Sequence, residues 1–205
     1  MGYLGGHAEH ESSGAKGMAL PTAPSGHAIL TLHSAPSAGF DQPFEMLEAC
    51  HERVERMLGL LERLALHLRD RGCNEEARHA ARDVMRYFDQ AGPAHHEDEE
   101  RHVFPLLLSH AAPDLQALAE RLQREHLSLT EQWQLVRADL QQVVGGAGLV
   151  AGIEAWSPRW AEFARLYRAH IEAEETQAYP AAMPWADAAA QAAMGQEMAQ
   201  RRGAR

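Results

Sequence analysis

Residues 95–105 read HHEDEERHVFP and residues 170–180 read HIEAEETQAYP. Each stretch opens on a His and carries a Glu four residues later: Glu99 after His95, Glu174 after His170. Residues i and i+4 share one face of an α-helix about 6 Å apart along its axis, so each pair can reach one ion. Outward from both stretches the apolar residues keep helical spacing. Ala77, Ala81, Val84, Phe88 and Ala91 lead to His95, Glu99 and Val103 on one stripe. Trp160, Phe163, Leu166 and Tyr167 lead to His170, Glu174 and Ala178 on another. Polar residues thus stand where core residues belong.

Two further helices carry the same anomaly once each. The first starts at Asp41 with Pro43 and runs through Phe44, Leu47, His51, Val54, Leu58, Leu61 and Ala65 to about Asp70. Gly72 and Asn74 punctuate, one ending that helix and one capping the next. The third starts at Pro113-Asp114 and places His126 among Leu115, Leu118, Leu122, Leu129, Trp133, Val136 and Leu140; Gly145-Gly146-Ala147-Gly148 breaks it. Gly92-Pro93 predicts a kink in the second helix. Ser157-Pro158 is read as the start of the fourth, and Pro180 and Pro184 as its end. No strand-like alternation intervenes. Four long helices with short connections predict an all-α, up-down-up-down antiparallel four-helix bundle over residues 39–184. Residues 185–205 predict a short C-terminal helix and tail. Residues 1–38 are rich in Gly, Ser, Ala and Pro without a period and read as a flexible tail holding His7, His10, His27 and His33. Met18 is a candidate native start, with residues 1–17 a leader.

The heights of the polar residues agree. Counted to turn centres at Gly72, Ala112 and Leu149, His51 lies 21 residues before the first and His95 23 after it. Glu99 lies 13 before the second and His126 14 after it; His126 lies 23 before the third and His170 21 after it. Offsets of one or two residues are only about 3 Å. In an antiparallel bundle His51, His95, Glu99, His126, His170 and Glu174 therefore form one layer. A single His on a stripe, or one His-x-x-x-Glu, is usually a satisfied core residue or a solvated pair. Four stripes with a His each, two of them with a Glu at the same offset, form a cation-binding centre, because burying six such groups uncompensated is prohibitive. Six ligands exceed one tetrahedral zinc and suit two first-row ions bridged by the carboxylates: iron first, manganese or zinc as substitutes. His96 and Glu100 offer a second inward-facing pair, but Phe88 and Ala91 favour the stripe of His95 and Glu99. His102 reads as a rim residue, and His67, His79 and His110 as solvent-facing. Tyr167 and Tyr179 read as packing residues with their hydroxyls at the rim, and Cys50 as a small buried residue rather than a ligand.

The chain has 205 residues, a formal net charge of −10 and 2 Cys. An acidic surface disfavours nucleic acid and anionic membranes. No apolar stretch reaches a membrane span, no signal peptide is visible, and two Cys suit a reducing compartment, so a cytoplasmic location is expected.

The run from His95 to Pro105 is similar to the His-His-x-x-Glu-Glu-x-x-x-Phe-Pro signature of the hemerythrin-like HHE cation-binding family. His170 to Pro180 resembles its second-half counterpart, with His51 and Glu125-His126 at the single-His positions. The resemblance covers roughly 41–182. It implies a four-helix bundle with a non-haem di-iron centre, oxo- and carboxylate-bridged. Oxygen-carrying hemerythrins have a second His where this chain has Thr130, and an Asp where it has Glu175, so a more open iron site is implied. Iron-centre repair proteins of the family carry an N-terminal Cys-containing domain, whereas the tail here has no Cys.

Three functions compete. One is a di-iron protein that binds or senses iron, dioxygen, nitric oxide or peroxide. Another is a di-iron redox enzyme for peroxide or nitric oxide detoxification or iron-centre repair, served by an electron donor protein. The third is a partner-binding bundle with a vestigial site, which the complete ligand set argues against. A diatomic ligand or peroxide is the expected partner, and the chain a monomer or homodimer.

Overall fold

Pro43 opens the first helix because its φ is already helical and its missing N–H is not needed there. The computed structural model describes residues 39–146 and 149–204; the expected tail and Ala147-Gly148 of the glycine-rich break lie outside them. Helix α1 spans Pro43–Arg71 and ends at Gly72, whose φ of 70° is open to glycine and whose N–H donates to the Leu68 carbonyl at 3.2 Å. Asn74 caps α2, Glu75–Asp98, by accepting the Ala77 N–H at 2.9 Å. The helix passes through Gly92-Pro93 and continues as a π turn, Glu99–Val103, into α3, Phe104–His110. Helix α4 spans Pro113–Gly145, and Gly146 at φ 72° ends it. Helix α5, Leu149–Ala173, continues as a second π turn, Glu174–Ala178, into α6, Tyr179–Ala182. A 3-10 turn, Met183–Trp185, leads to α7, Ala188–Arg201, capped by Asp187.

Two of these boundaries depart from the sequence reading. The fourth helix starts at Leu149, eight residues before Ser157, with Pro158 in its interior. Ile153, Trp156 and Trp160 bury on either side of Pro158, and that packing holds the helix across the lost hydrogen bond. The π turns, which the 3.6-residue period does not announce, each begin at a Glu and each precede a proline. In an α-helix Pro105 and Pro180 would press on the carbonyl four residues back. With an extra residue in the turn, the Phe104 and Tyr179 N–H groups instead reach the Glu99 and Glu174 carbonyls five residues back, and the helix survives.

Among the described residues every regular element is a helix and none is long and apolar enough to cross a membrane. α1 packs on α2 and α5, and α4 on the same two. The apolar interior falls into two clusters. One holds Val54, Leu58, Phe88, Leu129, Trp133, Phe163 and Tyr167. The other holds Phe44, Leu47, Phe104, Leu122, Tyr179 and Met198. Six buried polar residues, the expected His and Glu, occupy the stretches of chain where one cluster gives way to the other.

Helix α7 adds Met194 and Met198 to the second cluster. Its Arg201 and the residue just past its end, Arg202, pair with the fully buried Asp98 carboxylate, while Glu197 meets His102 Nε2 at 2.8 Å. Gly195 lies so close to the Phe40 backbone that a Cβ would sit 1.7 Å from its carbonyl oxygen. Gly195→Ala is expected to cost about 1–3 kcal/mol by forcing α7 off that backbone. Gly145→Ala, with nothing within 4 Å of the added atom, should lose no stability. Thermal or urea unfolding of the two variants checks this pair.

Candidate metal centre

Each long helix delivers its polar residue to one place: His51 from α1, His95 from α2, His126 from α4 and His170 from α5, with Glu99 and Glu174 as the first residues of the two π turns. None of the six is more than 3% exposed, and both carboxylates are at 0%. The rings of His51 and His95 meet through their Nε2 atoms at 2.8 Å. Each carboxylate has neighbours on two sides. Glu99 Oε1 lies 3.4 Å from His95 Nε2 and its Oε2 3.4 Å from His126 Nε2. Glu174 Oε2 lies 3.3 Å from His51 Nε2 and its Oε1 2.9 Å from His170 Nε2 and 3.6 Å from His126 Nε2.

The donors gather in two groups, each with its ligand atoms within 4.8 Å of one another: His51, His95, Glu99 and Glu174 in one, His96, His126 and His170 in the other. His96 thus stands among the candidate donors together with His95. Its ring stacks on that of His126 at 3.9 Å, and its Nε2 lies 3.0 Å from the Tyr167 hydroxyl. The either-or reading of the two registers arose because neighbouring residues on a helix differ by about 100°, too much for one stripe but not for a cluster fed from four sides. Glu100, the other half of that pair, turns outward and meets His126 Nδ1 at 3.0 Å.

Two more carboxylates do the same job. Glu175 meets His51 Nδ1 at 3.0 Å and Glu125 meets His170 Nδ1 at 2.9 Å. An ionised carboxylate can only accept, so Nδ1 carries the hydrogen in all three rings and Nε2 is aimed at the centre. That arrangement fixes tautomer and ring orientation as it does behind metal-bound imidazoles. Sequence reasoning missed these roles, although Glu100, Glu125 and Glu175 each adjoin one of the six residues.

Charge balance in the layer is tense. Burial alone would depress the His51 and His126 imidazoles, but the adjoining carboxylates outweigh it. Glu174 and Glu175 push His51 up to about 10, and Glu174 and Glu99 push His126 up to about 10. Burial opposes the Glu174 charge and the Glu125 bond at His170, which still rises to about 9. His95 and His96 are driven well down by burial and by their charged ring neighbours. Glu99 is raised by burial and by Glu174, whereas the histidines around Glu174 overcome its burial and hold it far below the usual carboxylate range.

Both tyrosines differ from the reading that put their hydroxyls at the rim. Tyr179 is fully buried; its hydroxyl donates to Glu99 Oε1 and lies 3.3 Å from His51 Nε2. In an unbroken α-helix it would stand about 180° from His170, nine residues earlier. The π turn between them rotates it inward. Tyr167 is buried with its hydroxyl on His96. The remaining histidines among the described residues stay apart. His102 serves Glu197, His110 stacks on Trp185 at 4.9 Å, His79 is exposed, and His67, half-buried, meets Asn74 Oδ1 at 3.0 Å. Cys50 is partly buried, its thiol raised by burial, and lies in neither donor group. Thr130 donates its hydroxyl to the His126 carbonyl at 2.8 Å.

Six buried polar atoms in this layer have no hydrogen-bond partner: His95 Nδ1, Glu99 Oε2, His126 Nε2, His170 Nε2 and both Glu174 oxygens. The ring Nε2 atoms and carboxylate oxygens among them stand 2.9–3.6 Å from one another as ionic neighbours without an aligned hydrogen bond. Imidazole nitrogens and carboxylate oxygens are the donor set of first-row cations, and a cation among them satisfies five of the six. The residues present fit a metal.

A protein-family model described as the hemerythrin HHE cation binding domain matches residues 42–182. An uncharacterised protein of Haemophilus influenzae is 33% identical over 107 residues, which are 52% of this chain and 62% of that one. The chain thus spans less than two thirds of that relative's length.

Proposed function

The chain belongs to the hemerythrin HHE cation-binding family, and from that premise we propose that it binds a bridged pair of iron ions and uses them to bind or sense dioxygen, nitric oxide or peroxide. The bundle is read as antiparallel, up-down-up-down. In support, members of one apolar cluster follow His51 and His126 in the chain but precede His95 and His170, and members of the other do the reverse. The ligands are His51, His95, Glu99, His126, His170 and Glu174, with His96 as a seventh donor.

The observation that carries this reading is the two-sided environment of each carboxylate. Glu99 faces His95 with one oxygen and His126 with the other, and Glu174 faces His51 and His170 likewise. Carboxylates so placed could be shared by two ions, which would not suit a single tetrahedral zinc. Iron held by these residues would supply reversible electron transfer and a place for a small ligand to bind. The chain's own part is to exclude water with two apolar clusters, to aim three Nε2 atoms through Glu175, Glu100 and Glu125, and to hold Glu99 in place through the Tyr179 hydroxyl.

A second reading, a di-iron redox enzyme, is favoured by the two buried tyrosines hydrogen-bonded at the centre, since a phenol there can relay an electron and a proton. Metal analysis with an optical spectrum tests the first reading. About two iron per chain with the charge-transfer bands of a bridged ferric pair is expected after iron-replete expression; one zinc per chain, or no metal, would overturn it. Repeated turnover of peroxide or nitric oxide in stopped flow, in place of a stable adduct, would move the function to the enzyme.

A further inference from the structure

The end of helix α7 grips the chain on both sides of Glu99. Asp98 is fully buried and stands one residue before it, about 100° round the helix, where it faces α7 and not the metal layer. Arg201 and Arg202 both donate to its carboxylate, Arg202 Nη1 at 3.0 Å from Oδ1. Arg202 also donates to the Ala94 carbonyl at 3.2 Å, and Arg201 meets Glu97 at 3.3 Å. Beyond Glu99, Glu197 accepts from Arg101 at 3.3 Å and meets His102 Nε2 at 2.8 Å. We propose that Arg201 and Arg202 are positioning residues for the metal centre: through Asp98 they hold the π turn that presents Glu99, and filling of the centre in turn tightens α7 against the bundle. The proposal deepens the sensing reading above and rests on Glu99 being a metal ligand.

A π turn is a rare backbone register, with one residue more than the α-helical turn holds. The two in this chain are supported differently. At the second, Glu175 reaches His51 Nδ1 at 3.0 Å and Thr176 bonds back to the Glu172 carbonyl, so its contacts run into the bundle and its own helix. The first takes ion pairs from α7 on both flanks. A buried carboxylate is stable only while it is paired. Without its two guanidiniums Asp98 would have to reach water, and the way there is a rotation of the turn. Glu99, the next residue, rotates with it.

Apolar packing ties the rest of α7 to the same place. Met194 and Met198 enter the cluster that holds Val103 and Phe104, the last residue of the turn and the first after it. Gly195 lets the helix close on the Phe40 backbone, and the Arg202 guanidinium lies over the Phe40 ring at 5.8 Å. Docking of α7 and the placement of Glu99 are thus linked equilibria, and whatever favours one favours the other by the same factor. A cation that draws Glu99 inward therefore stabilises the docked helix, which turns occupancy of a buried layer into a change at the surface.

The test uses the full-length chain. Arg201→Gln with Arg202→Gln removes both guanidiniums from Asp98. Arg159→Gln is the matched control: it takes the guanidinium from another buried carboxylate, Asp139, about 20 Å along α4 from His126. In the metal-free protein, hydrogen exchange of the amides of residues 99–103 should speed about tenfold or more relative to those of 174–178 in the double variant, and keep the parent ratio in Arg159→Gln. Apparent iron affinity, measured by competition with a chelator, should fall about tenfold or more in the double variant and stay near the parent value in Arg159→Gln. Arg201→Lys with Arg202→Lys keeps the charge without the planar fork and should recover part of both effects. Iron loading of the parent should slow exchange of the α7 amides. An unchanged exchange ratio in the double variant overturns the proposal. So do parent-like iron affinity once that ratio has risen, an equal affinity loss in Arg159→Gln, or α7 exchange that ignores iron in the parent. Should the double variant not fold, Arg202→Gln alone leaves Arg201 on Asp98 and is judged on the same pattern at smaller size. Failure of the parent to load iron would overturn the metal reading instead, and exchange in the metal-free protein would still decide the clamp.

Discussion

Stripping the metal is expected to lower the melting temperature by about 10 °C at pH 7. A ligand present at about a thousand times its dissociation constant stabilises the folded state by about 4 kcal/mol. For a chain of this size each kcal/mol moves the midpoint by about 2–4 °C. The layer explains why the folded state should bind so selectively: its donors come from four helices and meet only in the fold, while six buried polar atoms are left without partners. Calorimetry of the protein before and after chelation, with iron then restored, measures the effect. Glu174→Gln should erase the metal-dependent part of the shift, because that carboxylate stands against His51, His126 and His170 together. Glu175→Gln should keep most of it, since Glu175 reaches the centre only through His51 Nδ1. An equal midpoint with and without metal would make the layer a structural network and sink the proposed centre.

What the sequence made legible was periodicity and its violations. His51, His95, His126 and His170 stood out because a stripe of apolar residues is a strong pattern and a ring nitrogen within it is a visible fault. The heights agreed because α-helical rise is nearly constant. The unread features are those in which the period itself changes. The π turns shift the helix phase after Glu99 and Glu174, so the inward turn of Tyr179 has no signature in a 3.6-residue count. Pro105 and Pro180 were the available signal, since a proline six residues after a buried Glu demands some local adjustment. Pro158 misled in the opposite sense: as a start signal it was outweighed by the burial of Trp156 and Trp160. His96 was weighed only as an alternative to His95 because one helix face was taken as the unit, whereas a cluster fed from four helices can take in neighbours about 100° apart. The outer carboxylates and the Asp98 clamp on α7 depend on contacts between distant segments, which no single-helix pattern records.

The stabilisation by metal should widen steeply as pH rises from 6 to about 9. In the metal-free protein His51 and His126 hold their protons up to about 10 and His170 up to about 9, so near neutrality three imidazoliums sit around Glu174. A metal binds only the neutral rings and must displace those protons. Each proton released changes the binding free energy by about 1.4 kcal/mol per pH unit, so apparent affinity should fall up to about a thousandfold per unit of acidification. The sign for the metal-free fold follows from the same shifts. The raised imidazoles contribute stability that is complete below their unfolded value of about 6.5 and is lost as pH climbs through 9 to 10. Glu174, held low, contributes above its unfolded value and loses that contribution as pH falls through its depressed one. His95 and His96, kept neutral by burial, cost stability as pH drops below about 6.5, because the unfolded chain takes up protons they refuse. The metal-free protein should therefore weaken on both sides of neutrality, whereas the loaded protein should weaken only toward acid, where protons evict the ion. Melting temperatures of both forms from pH 6 to 9 at fixed free metal measure the gap. A gap that stays constant would mean the rings are already neutral without metal, and that the carboxylates around them do not hold the protons the geometry assigns.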